Sequence, residues 1–416
     1  MALTLRGIVV LLTGIVLGIG LALSSTVWIT FTGHAKAAPT PAVDPSIESA
    51  ALVAEVIDRV RREYVDTIDD KRIVEAAIRG IVADLDQHST FLDAEQYEDI
   101  RISTTGNYTG VGLDVNLEGG KVTVVAPLDG APAEQAGILP GDIVSAVDDV
   151  PVSAEDVASS VARMRGAPGT SVTLDVMRPG SDTPLRFALT RTEVHVRTVQ
   201  SEYLGNGLGY VRLSSFAEST AGDLDQAARD LTAAAGRDEL LGLVLDLRSN
   251  PGGLLDSAVQ VADEFLDGGI IVTGTGRMRK AQFEQSANAG DALEGVPTVV
   301  LVNGSSASAS EIVAGALQDH GRARIVGEKT YGKGSVQTVM PLGEGSALKL
   351  TTSRYLTPSG RSINGTGIVP DVVVHSDDQN RQYRGANGRV ALRDGAQLLE
   401  ALRLISYDSI TVTQVQ

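Results

Sequence analysis

Two short apolar runs constrain the fold of this chain more than any other feature of its sequence. Residues 241–247 and 298–302 are rich in leucine and valine, and each run is followed by a turn of small residues and then by a helix pattern. Such runs predict buried strands. Because strands that alternate with helices pair in parallel, the chain beyond residue 190 is predicted to form an α/β domain with a mainly parallel sheet. Ligands of such sheets bind at the carboxyl ends of the strands.

The second run leads through a small-residue turn to Ser308. A strand, a sharp turn and a helix N-terminus together lift a side chain clear of the backbone, which suits a serine nucleophile. Glu311 follows Ser308 at the spacing of a capping box, in which serine and glutamate satisfy the first free amides of a helix. This stretch alone leaves both interpretations open.

Lys333 is the candidate base for such a nucleophile. The segment around it is strand-like, and as a strand it puts residues 333, 335 and 337 on one face, so that Lys333 and Gln337 can converge on one site. The amide oxygen of Gln337 could then orient the lysine amine. To accept a proton near pH 7, the lysine needs a pKa far below its usual value of ~10.4, which burial without a carboxylate partner would produce. A solvated lysine in a turn is the alternative without function.

Two competing motifs are disfavoured. Gly327 to Lys333 matches most of a nucleotide-binding P-loop, but no Ser or Thr follows the lysine and no helix pattern follows the loop. A histidine base is the other option. His320 lies along the same predicted helix as Ser308, about 18 Å away, which is out of reach. His88 and His195 show no pairing signal.

The first run leads into Pro251-Gly252-Gly253. Free backbone amides at a strand-to-helix junction receive an anionic oxygen well, although the same residues could form a simple turn.

A glycine-flanked loop opens a β-rich block at residues 107–190. Its order of glycine loop, strands and the Ala-Gly-Ile-Leu-Pro-Gly-Asp-Ile stretch at residues 136–143 resembles a PDZ domain. Glycines let successive N–H groups converge on a carboxylate, and a peptide could add as a strand beside residues 112–116. The predicted peptide-binding residues are therefore Gly110, Val111, Gly112 and Leu113. A glycine turn without a ligand is the alternative.

The composition argues against several other classes of function. The net charge is −17 and no Lys/Arg patch is present, so we expect no nucleic-acid partner. The chain has no cysteine, and its five histidines show no zinc-binding spacing. We expect no metal and no cofactor.

The N-terminus carries an uncharged stretch at residues 7–33 with an apolar centre. It is typical of an export signal or of a membrane anchor through residues 8–31, and Ala35-Lys36-Ala37 resembles a cleavage site. Both interpretations place the bulk of the chain outside the cytoplasm, in the periplasm or cell envelope. Residues 47–100 show the periodicity of amphipathic helices.

The serine and lysine segments together resemble the carboxyl-terminal processing peptidases (tail-specific proteases), which are Ser-Lys serine proteases with a PDZ domain. The resemblance covers residues 47–371. Its motifs are Ser-Ala-Ser-Ala-Ser-Glu-Ile at 306–312, Gly-Glu-Lys-Thr-Tyr-Gly-Lys-Gly-Ser-Val-Gln at 327–337, His-Ser-Thr-Phe-Leu at 88–92, Leu-Asp-Leu-Arg-Ser-Asn-Pro-Gly-Gly at 245–253, and the segment 351–363.

The resemblance implies a role for each matching residue. Ser308 would be the nucleophile, Lys333 the general base and Gln337 the amide that orients the lysine. The backbone amides of Gly253 and Ala309 would form the oxyanion hole, with Gly252 as the alternative if the register slips. Gln87 stands where the family usually has proline, and this departure was expected to touch the N-terminal region and not the chemistry.

The sequence therefore predicts a multidomain α/β serine endopeptidase that recognises the C-terminal tails of protein substrates. The expected divisions are a signal peptide or membrane anchor at 1–37, a linker at 38–46, an N-terminal helical region at 47–103, a PDZ domain at 104–190, a protease core at 191–375 and a tail with a short helix at 376–416. The terminal helices could support a homo-oligomer. A PDZ scaffold without catalysis is disfavoured, because both the serine and the lysine are present.

Overall fold

The structure is a computed structural model that describes residues 45–128, 130–155, 157–181, 183–236, 240–293, 295–375 and 395–413. The expected leader, most of the linker and the polar loop expected at 377–388 lie outside the described residues. By its internal contacts the chain divides into two compact units, Met1–Ala77 and Ile78–Gln416. No helix within the described ranges is long and apolar enough to span a membrane.

The helices are α1 (Pro45–Glu63), α2 (Asp70–Ala83), α3 (Ala94–Thr105), α4 (Pro132–Gln135), α5 (Val157–Met164), α6 (Thr220–Ala235), α7 (Leu255–Asp263), α8 (Ala309–Asp319) and α9 (Gly395–Thr413). The strands of the first half are β1 (Thr90–Leu92), β2 (Asn107–Gly110), β3 (Leu113–Glu118), β4 (Lys121–Pro127), β5 (Ile143–Val147), β6 (Val150–Pro151), β7 (Ser171–Met177), β8 (Leu185–Thr190) and β9 (Thr192–His195). Those of the second half are β10 (Val199–Gly205), β11 (Leu208–Leu213), β12 (Gly242–Asp246), β13 (Gly269–Gly276), β14 (Phe283–Ala287), β15 (Thr298–Val302), β16 (Ala323–Gly327), β17 (Ser335–Pro341), β18 (Ala347–Leu356) and β19 (Val372–Val373).

The first unit contains α1 and the start of α2. Charged pairs one turn apart stabilise α1, such as Arg59 Nη2 and Glu55 Oε1 at 2.7 Å. Several apolar side chains of α1 are exposed, Leu52 and Val56 among them.

An antiparallel sheet of β3 to β8 forms the β-rich part of the second unit. Alternate residues of β4 and β7 point into its core, and Val122, Leu174 and Val176 are fully buried. The order β3-β4-β5-β7-β8 leaves β3 at one end of the sheet. An edge strand of this kind can accept an added peptide strand.

The mainly parallel sheet that was predicted is confirmed. Its order is β10-β11-β12-β15-β16-β19, with only the β10–β11 pair antiparallel. Every residue of β12 and β15 is buried, because helices cover both faces of the sheet. Leu245 and Val300 pack in the cluster that includes residues of α6, α7 and α8, whereas Val244 packs against α9.

A further sheet in the second half of the chain was not predicted. It joins β1, β13, β14, β17 and β18 in antiparallel pairs. The expectation of helices throughout residues 47–100 is wrong at β1, where Thr90 pairs with Lys349. Phe91 and Leu92 are buried there. Their burial depends on a distant strand, which no local periodicity can show.

Candidate active site

The turn between β15 and α8 presents Ser308. This residue is the N-cap of α8 and has φ 57° and ψ −113°, a strained conformation for a residue with a side chain. Ser306 and Ser310 are fully buried, and their hydroxyls donate to the carbonyls of Leu247 and Asn250 at 2.8 and 2.9 Å. These bonds fix the turn to the loop after β12, so the two flanking serines hold the turn that presents Ser308.

Ser308 and Glu311 form the capping box that the spacing allowed. The carboxylate of Glu311 accepts a hydrogen bond from the Ser308 N–H at 2.8 Å. In return, the Glu311 N–H faces the Ser308 side chain and bonds to the Ser308 carbonyl at 2.9 Å. A role in capping and a role as nucleophile therefore fall on the same residue.

The buried carboxylate of Glu311 joins the serine turn to the lysine loop. Its Oε2 accepts the N–H of Ser308 at 2.8 Å and the N–H of Lys333 at 2.9 Å. Its Oε1 accepts the Gly332 N–H at 2.7 Å and the Thr330 hydroxyl at 2.5 Å. The backbone nitrogens of the predicted nucleophile and base thus lie on either side of one oxygen atom. The sequence predicted only the pairing of Glu311 with Ser308. It did not predict the bonds of Glu311 to the lysine loop.

Lys333 is half-buried, and three effects set its pKa. Burial lowers the pKa most, the positive charge of Lys349 lowers it further, and the carboxylate of Glu311 acts in the opposite direction. Loss of hydration disfavours a charged amine, so the neutral form is easier to reach here than in water. This is the direction that a general base requires.

The expectation that Lys333 belongs to the strand is wrong. Strand β17 begins at Ser335, and its register with β18 shifts between Val336 and Gln337. Strict alternation therefore does not place residues 333, 335 and 337 on one face. Lys333 is positioned instead by its loop, which Glu311 and the Gly365 N–H to Gly332 carbonyl bond of 2.8 Å hold in place.

Gln337 lies beside this loop. Its amide nitrogen donates to Ser335 Oγ at 2.9 Å and to Thr351 Oγ1 at 3.3 Å. None of its hydrogen bonds to described residues reaches Lys333, and its amide oxygen accepts none from them.

The predicted oxyanion hole consists of the backbone amides of Gly253 and Ala309. Neither amide bonds to another described residue. The Gly252 N–H is already bonded to Asn250 Oδ1 at 2.9 Å. Gly252 packs so closely on the serine turn that a Cβ there would lie 2.9 Å from the Ser308 Cβ. Only glycine permits this approach.

The His88 segment approaches the lysine, which the sequence interpretation missed. Ser89 accepts the Thr351 N–H at 3.1 Å, and Asp86 accepts the N–H groups of His88 and Ser89 at 2.7 and 2.8 Å. The pKa of His88 is lowered by burial and then by the charge of Lys333. The charge of Lys333 therefore reaches His88, whereas Gln87 contacts the His88 ring and no described residue of the candidate site. The match of residues 88–92 to the family motif could have indicated this position.

Tyr355 is a second residue that the sequence interpretation missed. Its buried hydroxyl contacts the Lys333 carbonyl and the Ser308 side chain, and burial raises its pKa well above the usual value. It adds a link between the same two segments.

Of the histidines within the described ranges, neither His320 nor His195 bonds to Ser308. His320 lies at the far end of α8, and its Nε2 is 2.7 Å from the Ile270 carbonyl oxygen. His195 does have partners, contrary to expectation: Nδ1 is 3.0 Å from Asn107 Oδ1 and Nε2 is 3.2 Å from Asp223 Oδ2. The described residues include no group of three acidic or histidine side chains that could hold a metal.

The predicted peptide-binding loop precedes the edge strand β3. The carbonyls of Val111 and Gly112 accept the N–H groups of Ala133 and Leu128 at 3.0 and 2.9 Å. Gly112 has φ 74°, and a Cβ there would lie 2.1 Å from the Ala131 Cβ, so this position requires glycine. Because these carbonyls are already bonded, the backbone N–H groups are what the loop can offer to a ligand.

A strained serine at a helix N-terminus, a half-buried lysine and free amides together define a serine peptidase site. Sequence comparison agrees. Residues 207–374 match peptidase family S41, and residues 123–178 match the PDZ domain family. The carboxy-terminal-processing protease of Bartonella bacilliformis is 47% identical over 324 residues, which cover 78% of this chain and 74% of that protein.

Two further similar proteins are as follows. The carboxy-terminal processing protease CtpB of Bacillus subtilis is 33% identical over 333 residues, covering 78% of this chain and 68% of that protein. A solved structure of a photosystem II D1 C-terminal processing protease is 33% identical and covers 78% of this chain and 92% of that chain, with a TM-score of 0.46.

The chain belongs to peptidase family S41. It is a C-terminal processing serine protease with a PDZ domain, a module that binds peptide C-termini.

Proposed function

We propose that the protein binds the C-terminal tail of a protein substrate at Gly110–Leu113 and cleaves an upstream peptide bond with a Ser308–Lys333 dyad. The observation that carries this proposal is the shared Glu311 oxygen, which holds the backbones of both dyad residues. The free carboxyl end of the tail would lie against the loop amides, and the preceding residues would pair with the edge strand β3.

The proposed chemistry assigns one step to each of these groups. Neutral Lys333 accepts the proton of Ser308 Oγ while that oxygen attacks the peptide carbonyl. The lysine then gives its proton to the leaving amine, and water hydrolyses the acyl-enzyme. The amides of Gly253 and Ala309 hold the oxyanion, and each such donor contributes ~3 kcal/mol in serine proteases. Gln337 would orient the lysine amine through its free amide oxygen.

Substitution Ser308→Ala is expected to abolish cleavage and to leave tail binding intact, because the nucleophile and the peptide-binding loop belong to different elements. The assay follows degradation of one reporter protein with and without an apolar C-terminal tail, together with binding of the isolated tail peptide. Ser305→Ala, an exposed position in the same turn, is the control. Residual cleavage by Ser308→Ala at the native rate, or equal degradation of both reporters, would contradict the proposal.

Substitution Lys349→Gln is expected to move the acidic limb of the pH–rate profile to higher pH. The Lys349 charge lowers the pKa of Lys333, so its removal raises that pKa and reduces the neutral lysine fraction near pH 7. Activity should fall several-fold at mildly acidic pH and recover at alkaline pH. Lys349→Arg keeps the charge and serves as the control. A shift to lower pH, or equal profiles for Lys349→Gln and Lys349→Arg, would argue against Lys333 as the titrating base.

Location and assembly complete the proposal. The apolar stretch at residues 8–31 supports export or anchoring at the membrane, with the protease in the periplasm or cell envelope. The exposed apolar side chains Leu52 and Val56 of α1 and Leu399 of α9 support a homo-oligomer formed through these helices.

A further inference from the structure

The two donors of the oxyanion hole belong to different segments of the chain. Gly253 lies in the loop between β12 and α7, whereas Ala309 is the first residue of α8. Two donors stabilise one oxyanion only when both lie within about 3 Å of the position that the oxygen will occupy. The fold must therefore fix the position of one segment relative to the other.

The backbone carbonyl of Asn250 accepts two hydrogen bonds from the serine turn. Its donors are the Ala307 N–H at 3.0 Å and the Ser310 hydroxyl at 2.9 Å. These two donors lie on either side of Ser308 and Ala309 in the chain. One oxygen atom therefore holds the segment that carries both the nucleophile and one donor of the oxyanion hole.

The side chain of Asn250 holds the glycine pair. Asn250 is fully buried, and its Oδ1 accepts the Gly252 N–H at 2.9 Å. Its Nδ2 donates to the Leu213 carbonyl at 2.9 Å, at the end of β11. The first bond occupies the Gly252 N–H, so this group does not compete with the Gly253 N–H for an oxyanion. The second bond anchors the side chain to the parallel sheet.

The Gly253 amide is oriented by Phe216. The Phe216 N–H donates to the Gly252 carbonyl at 3.1 Å. The Leu254 N–H donates to the Phe216 carbonyl at 2.8 Å, which completes a parallel bridge between Phe216 and Gly253. The N–H of the central residue of such a bridge points to the opposite side. On that side a Cβ at Gly252 would lie 3.0 Å from the Ala309 nitrogen, so the two segments are in contact.

We propose that Asn250 is the positioning residue of the oxyanion hole: its side chain fixes the glycine pair, and its carbonyl fixes the segment that carries Ala309. This inference rests on the proposed function, because it requires the Gly253 and Ala309 amides to hold the oxyanion. Asn250 is buried and acts only through these two segments. Since the oxyanion forms only in the reaction, the loss of Asn250 should lower kcat and leave KM nearly unchanged.

The test compares two inhibitors of the full-length protein, a peptide aldehyde that ends at the bond cleaved in a tail-bearing reporter and the corresponding peptide alcohol. The aldehyde carbon bonds to the serine oxygen and its own oxygen becomes the oxyanion, whereas the alcohol forms no such adduct. Asn250→Leu keeps the branched shape of the side chain and removes both of its hydrogen bonds. It should lower kcat and the affinity for the aldehyde by about 10²-fold each, and leave the affinity for the alcohol nearly unchanged.

Ser310→Ala tests the bond between Asn250 and the serine turn with a smaller change. It removes one of the two donors to the Asn250 carbonyl and should lower kcat and the affinity for the aldehyde by about two- to tenfold. Ser353→Ala is the matched control, because Ser353 is also a buried serine, and its hydroxyl donates to the Ala281 carbonyl at 2.8 Å. Its kcat and both affinities should equal those of the unaltered protein. Urea unfolding of each variant checks the fold.

The outcomes separate the positioning role from the proposed function. If the unaltered protein prefers the aldehyde, but neither Asn250→Leu nor Ser310→Ala reduces that preference, the positioning role is overturned and the proposed function stands. Equal losses for the aldehyde and the alcohol would also overturn the role, because the defect then lies in binding of the ground state. If Asn250→Leu does not fold, the comparison of Ser310→Ala with Ser353→Ala decides. If the unaltered protein binds the aldehyde no better than the alcohol, the serine mechanism itself is overturned.

Discussion

Substitution Lys333→Arg is expected to reduce proteolysis by about 10²- to 10⁴-fold, the usual contribution of a general base. Arginine keeps the positive charge and the length of the side chain, but its guanidinium stays protonated at every pH at which the protein is folded. It therefore cannot accept the Ser308 proton. Unlike a lysine with a raised pKa, the arginine variant should not recover at alkaline pH. Initial rates on a tail-bearing reporter between pH 6 and about 10 measure both features.

Lys329→Arg is the matched control, because Lys329 is an exposed lysine of the same loop. Its activity and its pH profile should match those of the unaltered protein. A Lys333→Arg variant that cleaves the reporter at more than about one tenth of the native rate would rule out Lys333 as the base.

Local sequence patterns were sufficient to predict the structure of a segment whose strand, turn and helix follow one another in the chain. The run 298–302 and the small-residue turn after it place Ser308 at a helix N-terminus, and the structure has β15 and α8 at those positions. The glycine pair that follows β12 predicted free amides at that turn, and the Gly253 amide makes no bond to other described residues. In both cases the strand, the turn and the helix are consecutive in the chain.

Pairings between distant segments were not predictable in this way. Ser89 and Thr351 are 262 residues apart, yet their hydrogen bond places the His88 segment beside the lysine loop. The periodicity of residues 47–100 favoured helices because three residues of strand are too few to register against it. Lys333 was chosen as the candidate base partly for a geometric reason that fails, since the alternation of a strand does not extend to it.

Substitution Glu311→Gln is expected to lower both stability and activity. An amide nitrogen in place of one carboxylate oxygen would face two N–H or O–H donors, and each donor left without an acceptor costs ~1–3 kcal/mol. The free energy of unfolding should therefore fall by about 2–5 kcal/mol. Because the serine turn and the lysine loop lose their common acceptor, kcat should also fall, by about 10²-fold for a misplacement of the order of 1 Å.

The sign of the pH effect separates geometry from electrostatics in this variant. The Glu311 carboxylate raises the pKa of Lys333, so its neutralisation should move the acidic limb of the pH–rate profile to lower pH, opposite to Lys349→Gln. Electrostatics alone would thus make the lysine a readier base at neutral pH, and any loss of kcat reports displaced backbones. Glu264→Gln is the control, since burial and neighbouring acidic residues raise the pKa of Glu264 and its neutralisation should cost little. Urea unfolding, pH–rate profiles and the labelling rate of Ser308 by a fluorophosphonate measure the three effects. Native stability together with a native labelling rate in Glu311→Gln would show that the shared oxygen does not hold the dyad.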